Sequence, residues 1–151
     1  MKLTSLQNNA DSIKVKVICV FSNAGRILLG NGFDPSPAKF YLRPLGGSVD
    51  FGEPHHIAIQ REIMEELGFA IKNLVLLGVI ENFFNFDNKP GHEIIFVYDA
   101  EFIDSRVYIQ DNFQCQESDG SLFKAQWLEL STIDENTPPI YPDGLLKLLN
   151  R

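Results

Sequence analysis

Residues 47–69 read GSVDFGEPHHIAIQREIMEELGF, and the rest of the chain takes its meaning from them. Glu53-Pro54 marks a helix start, where proline is tolerated and negative charge suits the dipole. Gly68 marks its end. At about 100° per residue, Glu62, Glu65 and Glu66 share one arc with His55 and Ala58, while Ile57, Ile59, Ile63, Met64 and Leu67 take the opposite arc. The pattern predicts an amphipathic helix with its apolar side on a sheet and three carboxylates on the other side. Like charges at this spacing repel. A solvated acidic face and a seat for a hard divalent cation are both compatible with them. Arg61 offsets part of the charge, and Glu53 is placed to pair with it or to reach the same cluster. Gly46-Gly47 allows a loop to lie close to the carboxylates and to offer a backbone carbonyl as a further oxygen ligand.

Outward from the helix, the apolar residues change to the alternation and β-branched content of strands. Strands are expected at residues 14–21, 26–29, 40–43, 74–80, 93–98 and 123–130, with a terminal helix at 143–150. Asn23-Ala24-Gly25 supplies a hairpin turn. Loops are expected at 31–38 and 85–91, and a long polar segment at 104–120 reads as a loop able to cover a site. Residues 1–12 form a polar N-terminal segment and 13–151 a single domain of α+β class.

The composition is that of an ordinary globular protein, with 44% hydrophobic and 22% charged residues in 151. A formal net charge of −7 argues against a broad grip on nucleic acid, which needs a basic face. Bound metal reverses the local field, so a small phosphorylated substrate stays compatible. Two cysteines without CxxC spacing give no sign of a disulfide framework or a zinc site. Cys19 reads as core and Cys115 as part of the polar segment. No stretch has the length of a membrane span or the form of a secretory signal, which predicts a cytoplasmic protein without membrane contacts.

Gly47, Glu53, Arg61, Glu62, Ile63, Glu65, Glu66, Gly68 and Phe69 fall on the positions of the Nudix box, G-x5-E-x7-R-E-U-x-E-E-x-G-U, where U is bulky and apolar. Seven of these positions demand one residue type, so a chance match is on the order of one in a million. The chain therefore resembles the Nudix hydrolase superfamily, in its MutT-like form. It departs in having Phe69 at the last apolar position and Leu45 between Pro44 and the glycines. The resemblance implies an α/β/α sandwich with a mixed, mainly antiparallel curved sheet and the box helix packed against it. It also implies hydrolysis of a phosphoanhydride in a nucleoside diphosphate linked to another group.

In that family reading, Mg²⁺ or Mn²⁺ is held by Glu62, Glu65, Glu66 and the Gly47 carbonyl, with Arg61 and Glu53 orienting the glutamates. The general base is a box glutamate or a later acid, for which Glu93, Glu117 and Asp119 are candidates; Glu93 reads also as an ordinary strand-end acid and Glu117 as a solvated loop charge. Arg43, next to the glycine loop, is a candidate for substrate phosphate or for a structural ion pair. Phe84, with Phe83 and Phe86, is a candidate for stacking a base or for core packing. His55 and His56 are expected to be exposed, and Trp127 to pack on the sheet. The partner is a nucleotide-type small molecule, and the protein a monomer or homodimer. Three other classes fit the same fold: a nucleotide-metabolite sensor, an isoprenoid-diphosphate isomerase needing a catalytic cysteine, and a structural interaction domain.

Overall fold

Two turns show how local sequence shapes the sheets in the computed structural model, which describes residues 12–149. At Asp87-Asn88 both residues have positive φ, 52° and 60°, the geometry of a tight hairpin whose twist matches its strands. This turn joins β6 (Ile71–Phe86) to β7 (Lys89–Phe102), paired antiparallel from Ile71↔Phe102 to Phe86↔Lys89. The loop expected at 85–91 is thus reduced to two residues. Ala24-Gly25, also at positive φ, turns β2 (Ser22–Asn23) into β3 (Arg26–Asp34). β3 runs on into the expected loop at 31–38 as far as Asp34, and after a turn at 35–38 pairs with β4 (Lys39–Arg43).

β1 (Lys14–Cys19) lies between β5 (Leu45–Ser48) and β7, antiparallel to the first and parallel to the second. The first sheet has the order β5-β1-β7-β6. The second has the order β2-β3-β9-β8, with β4 also on β3. It is completed by β8 (Asn112–Gln116) and β9 (Leu122–Glu129). The segment at 104–120 is therefore not a structureless cover. It holds a 3₁₀ turn, Ser105–Ile109, capped by Asp104, and then strand β8, whose alternate residues Phe113 and Cys115 are buried.

The helix α1 (His55–Leu67) ends at Gly68, whose left-handed φ of 80° lets its N–H reach the Met64 carbonyl. Ala58, Ile59 and Ile63 of α1 pack with Val17, Leu28, Leu45 and Phe102 in one core cluster. The second cluster, on Val20, Ile27, Leu29, Ile95 and Val97, takes Leu145, Leu148 and Leu149 from the terminal helix α2 (Leu145–Leu149). Helices thus cover two faces of the sheets, the expected sandwich. Asn150 and residues 1–11 lie outside the described residues, and with them most of the expected N-terminal segment. No helix among the described residues is long and apolar enough to cross a membrane.

The seating of α1 differs from its apolar pattern. Ile57 and Met64 are exposed, whereas Glu62 and Glu66 are buried at 9% and 5% exposure. The helix is rotated so that its buried arc includes two of the three carboxylates. The reason lies in β5, whose glycines bring bare backbone against them.

Candidate active site

Gly46 and Gly47 leave no room for a side chain. A Cβ on Gly47 would lie 2.3 Å from the Glu62 carboxyl carbon, and one on Gly46 would lie 2.0 Å from the Val17 carbonyl oxygen. Only glycine lets β5 lie between β1 and the acidic face of α1. The Gly46 N–H donates to Glu66 Oε1 at 2.8 Å. Glu66 Oε2 is buried and has no hydrogen-bond partner among the described residues. Burial drives the Glu66 pKa up to about 8, against the lowering influence of Arg43 and the Gly46 N–H; Glu117 and Glu62 add to the rise. Burial also raises Glu62, opposed by Arg61.

The other end of the acidic face is closed around one cation. Arg61 makes a two-pronged bond to Glu53, Nε to Oε2 at 2.7 Å and Nη2 to Oε1 at 2.8 Å. Nη1 donates to Glu62 at 3.1 Å and Glu65 at 3.2 Å, while Nη2 also donates to the Ser48 carbonyl at 2.9 Å. Hydrogen bonding to Arg61 is the main reason that the Glu53 pKa falls to about 2. Glu53 lies ahead of the cap residue Pro54, so it serves Arg61 and the Asp50 N–H and not the first turn of the helix. Glu65 is exposed and holds Arg61. No group of three or more acidic, histidine or cysteine side chains among the described residues is gathered tightly enough to form a ready-made metal centre. The chemistry nonetheless fits a hard cation: one buried carboxylate oxygen without a donor, a second carboxylate beside it, and an unshielded glycine backbone.

Gly46 and Gly47 border these carboxylates and also a cavity of about 670 Å³. Arg43 and Lys16 line it on the glycine side, and Lys16 donates to Ser48 Oγ at 2.8 Å. Glu93 lines it and accepts from Asn82 Nδ2 at 3.4 Å. Glu117 lines it too, ion-paired with Arg43. Phe84 is in the wall, its ring lying over Gly91, where a Cβ would come within 2.3 Å. Asp119 is turned to Ser121, bonding its N–H and Oγ within an exposed turn. Phe83 is exposed and stacks on His92 at 4.3 Å.

The histidine expectation holds for His56 and fails for His55. His55 is half-buried, stacked on Phe96 at 4.1 Å and hydrogen-bonded to the Tyr98 hydroxyl. Cys115, read as a loop residue, is 1% exposed on β8, and burial first, then Glu66, pushes its thiol up to about 12. A thiol so disfavoured as thiolate is a poor nucleophile. Trp127 packs as expected and donates to the Val107 carbonyl at 3.2 Å. Sequence reasoning missed Tyr41, Asn82 and Tyr141 in the cavity wall. Tyr141 carries no local signal. It arrives through hydrogen bonds that tie residues 139–141 alongside Leu42.

A paired glycine strand, a helix with inward carboxylates and an arginine-bound acidic belt define a class, and the comparisons agree on it. The NUDIX domain model matches residues 12–146, and the chain belongs to that family, as one of its pyrophosphohydrolases. Among particular relatives, the chain is 25% identical over 123 residues to an oxidized purine nucleoside triphosphate hydrolase of Danio rerio, covering 80% of this chain and 69% of that protein. It is similar in structure to a MutT NUDIX hydrolase from Burkholderia pseudomallei, with 26% identity, a TM-score of 0.64, and coverage of 92% and 98% of the two chains. A UDP-X diphosphatase shares the fold at 18% identity and a TM-score of 0.58, over 97% of this chain and 67% of that one.

Proposed function

We propose that the protein hydrolyses the phosphoanhydride of a nucleoside diphosphate linked to another group, using Mg²⁺ or Mn²⁺ held by Glu62, Glu66 and the Gly47 carbonyl, with Glu65 turning in from Arg61. The observation that carries this reading is the buried Oε2 of Glu66, which has no hydrogen-bond partner among the described residues, beneath a strand of bare backbone. An isolated buried carboxylate oxygen is costly, and a divalent cation compensates it. When bound, such an ion neutralises the diphosphate and lowers the pKa of a water.

The chain's own residues supply the rest. Arg61 holds Glu62 and Glu65 at fixed angles, with Glu53 gripping it from behind. Arg43 receives a phosphate at the cavity's glycine side. Glu93, which no cation pairs with among the described residues, takes up a proton in the cavity. Tyr41, Phe84 and Tyr141 offer ring surface to a planar base. The Danio rerio relative, by its name, acts on oxidised purine nucleoside triphosphates, and such compounds head the substrate series to try. The protein acts without a membrane or a nucleic-acid partner in this reading, in the cytoplasm.

The test is phosphate and pyrophosphate release from a panel of nucleoside triphosphates, oxidised analogues, sugar nucleotides and dinucleotides, with Mg²⁺ or Mn²⁺. Turnover of one class by the wild type, lost in Glu66→Gln and on chelation, is the expected result. Metal binding with no turnover of any member would favour the sensor.

A further inference from the structure

Arg43 is held from three sides. Its Nη2 pairs with Glu117, 74 residues away, and its Nη1 lies 3.5 Å from the Pro44 carbonyl. Its guanidinium carbon stands 4.9 Å from the centre of the Phe123 ring. That ring reaches its place because residue 30 is glycine: a Cβ there would lie 2.8 Å from Phe123 Cε2 and 3.3 Å from Leu45 Cδ2. Gly30 is paired with Arg43 on one side and Ala125 on the other, so the ring lies across the strand next to the arginine. The side chains of Arg43 and Glu117 are 24% and 39% exposed. An ion pair so open to water contributes little to stability. What the arrangement does achieve is to remove the freedom of a long cation before anything binds, holding it in the cavity wall with N–H groups to spare.

We infer that Glu117 is a positioning residue: with Phe123 as floor and Gly30 as the space for that floor, it fixes Arg43 as the receiver of the substrate's diphosphate. The inference rests on the hydrolase reading above and takes Glu117 out of the acid–base chemistry, since one carboxylate oxygen is committed to Arg43. A negative charge near a phosphate would by itself weaken binding. Paired with the guanidinium and open to water, its repulsion is screened, and the gain from a fixed fork outweighs it.

The experiment combines titration calorimetry of inorganic pyrophosphate with Mg²⁺ and steady-state kinetics on whichever nucleotide the wild type hydrolyses best. Glu117→Gln is expected to weaken pyrophosphate binding and raise KM by about tenfold. It should leave kcat within about twofold, and the pH dependence of kcat and the melting temperature unchanged. In an Arg43→Ala background the same substitution should have no further effect. Phe123→Leu, which alters no charge, should weaken pyrophosphate binding about threefold. Loss of kcat by about a hundredfold or more in Glu117→Gln, with a lost pH limb and unchanged KM, would place Glu117 on the reacting water and overturn the inference. So would pyrophosphate binding equal to wild type, or additive effects of the two substitutions. Absence of hydrolysis across the panel would defeat the functional reading instead, while the pyrophosphate titration still decides the Arg43–Glu117 relation.

Discussion

Two ends of one acidic helix face meet the same electrostatic difficulty in opposite ways. Around Arg61, four carboxylates, those of Asp50, Glu53, Glu62 and Glu65, share a single guanidinium supplied by the chain itself. One turn further along, Glu66 is buried under β5 with one oxygen on the Gly46 N–H and the other without a hydrogen-bond partner among the described residues. The first group is tied together by folding through one guanidinium, which offsets only part of its negative charge. The second is left incomplete by folding, which is the property expected of a place where an outside cation completes the structure. The adjacent residues Glu65 and Glu66 thus do different work, and sequence spacing alone treats them alike.

The largest effect should separate these neighbours. Glu66→Gln is expected to lower kcat about a thousandfold, the loss of several kcal/mol of charge stabilisation. Glu65→Gln, whose side chain is half exposed, should cost only about tenfold. Equal losses in initial rates at saturating Mg²⁺ would erase the distinction.

The same carboxylate should also show itself in metal-free stability. A carboxyl raised from 4.5 to about 8 binds its proton more tightly in the folded state. Its contribution is present in full below the ordinary value and is lost as pH rises through about 8. Urea midpoints of the metal-free protein should therefore fall over that window, and the slope should be absent in Glu66→Gln or with divalent metal present. Gly47→Ala comes next. Its methyl would collide with the Glu62 carboxyl, so a loss of about 2 kcal/mol is expected, together with loss of the upward shift in melting temperature expected of the wild type on adding Mg²⁺. The smallest effect belongs to the arginine-bound end. Arg61→Lys keeps the charge but not the fork, and kcat/KM should drop about tenfold, with the Glu66 pH window unmoved. A shift of that window would mean that the two ends are one electrostatic unit.

What the sequence disclosed and what it hid follow the range of the forces involved. The box helix, its glycine end and the layered class were readable because caps and 3.6-residue periodicity are local. The rotation of α1 was not, because Ile57 and Met64 carry the same apolar signal as Ile59 and Ile63. What turns Glu62 inward is the missing side chains at Gly46 and Gly47 on another strand. Asp87-Asn88 was read as part of a loop, since polar residues with a proline and a glycine nearby resemble one, yet two positive-φ residues suffice for a hairpin. β8 was hidden by polar residues on its outer face, with only Phe113 and Cys115 buried. In the candidate site, Arg43, Phe84, Glu93 and Glu117 all line the cavity. Their partners Asn82 and Phe123, and the reason for Gly30, depend on contacts between distant segments and leave no mark in spacing.

The parallel pairing of β1 with β7 also sets an order of events. Lys14 must find Glu93 and Cys19 must find Tyr98 across the whole intervening chain, while the acidic helix between them is already spelled out. Emerging from a ribosome, the carboxylates exist before the strand that locks β1 in place has been made. Long-range closure of this kind slows folding towards milliseconds to seconds, rather than the microseconds of helical bundles. β1 and β5 precede α1 and pair with each other, so part of the helix's seat is made early, but the sheet is finished only when β7 arrives.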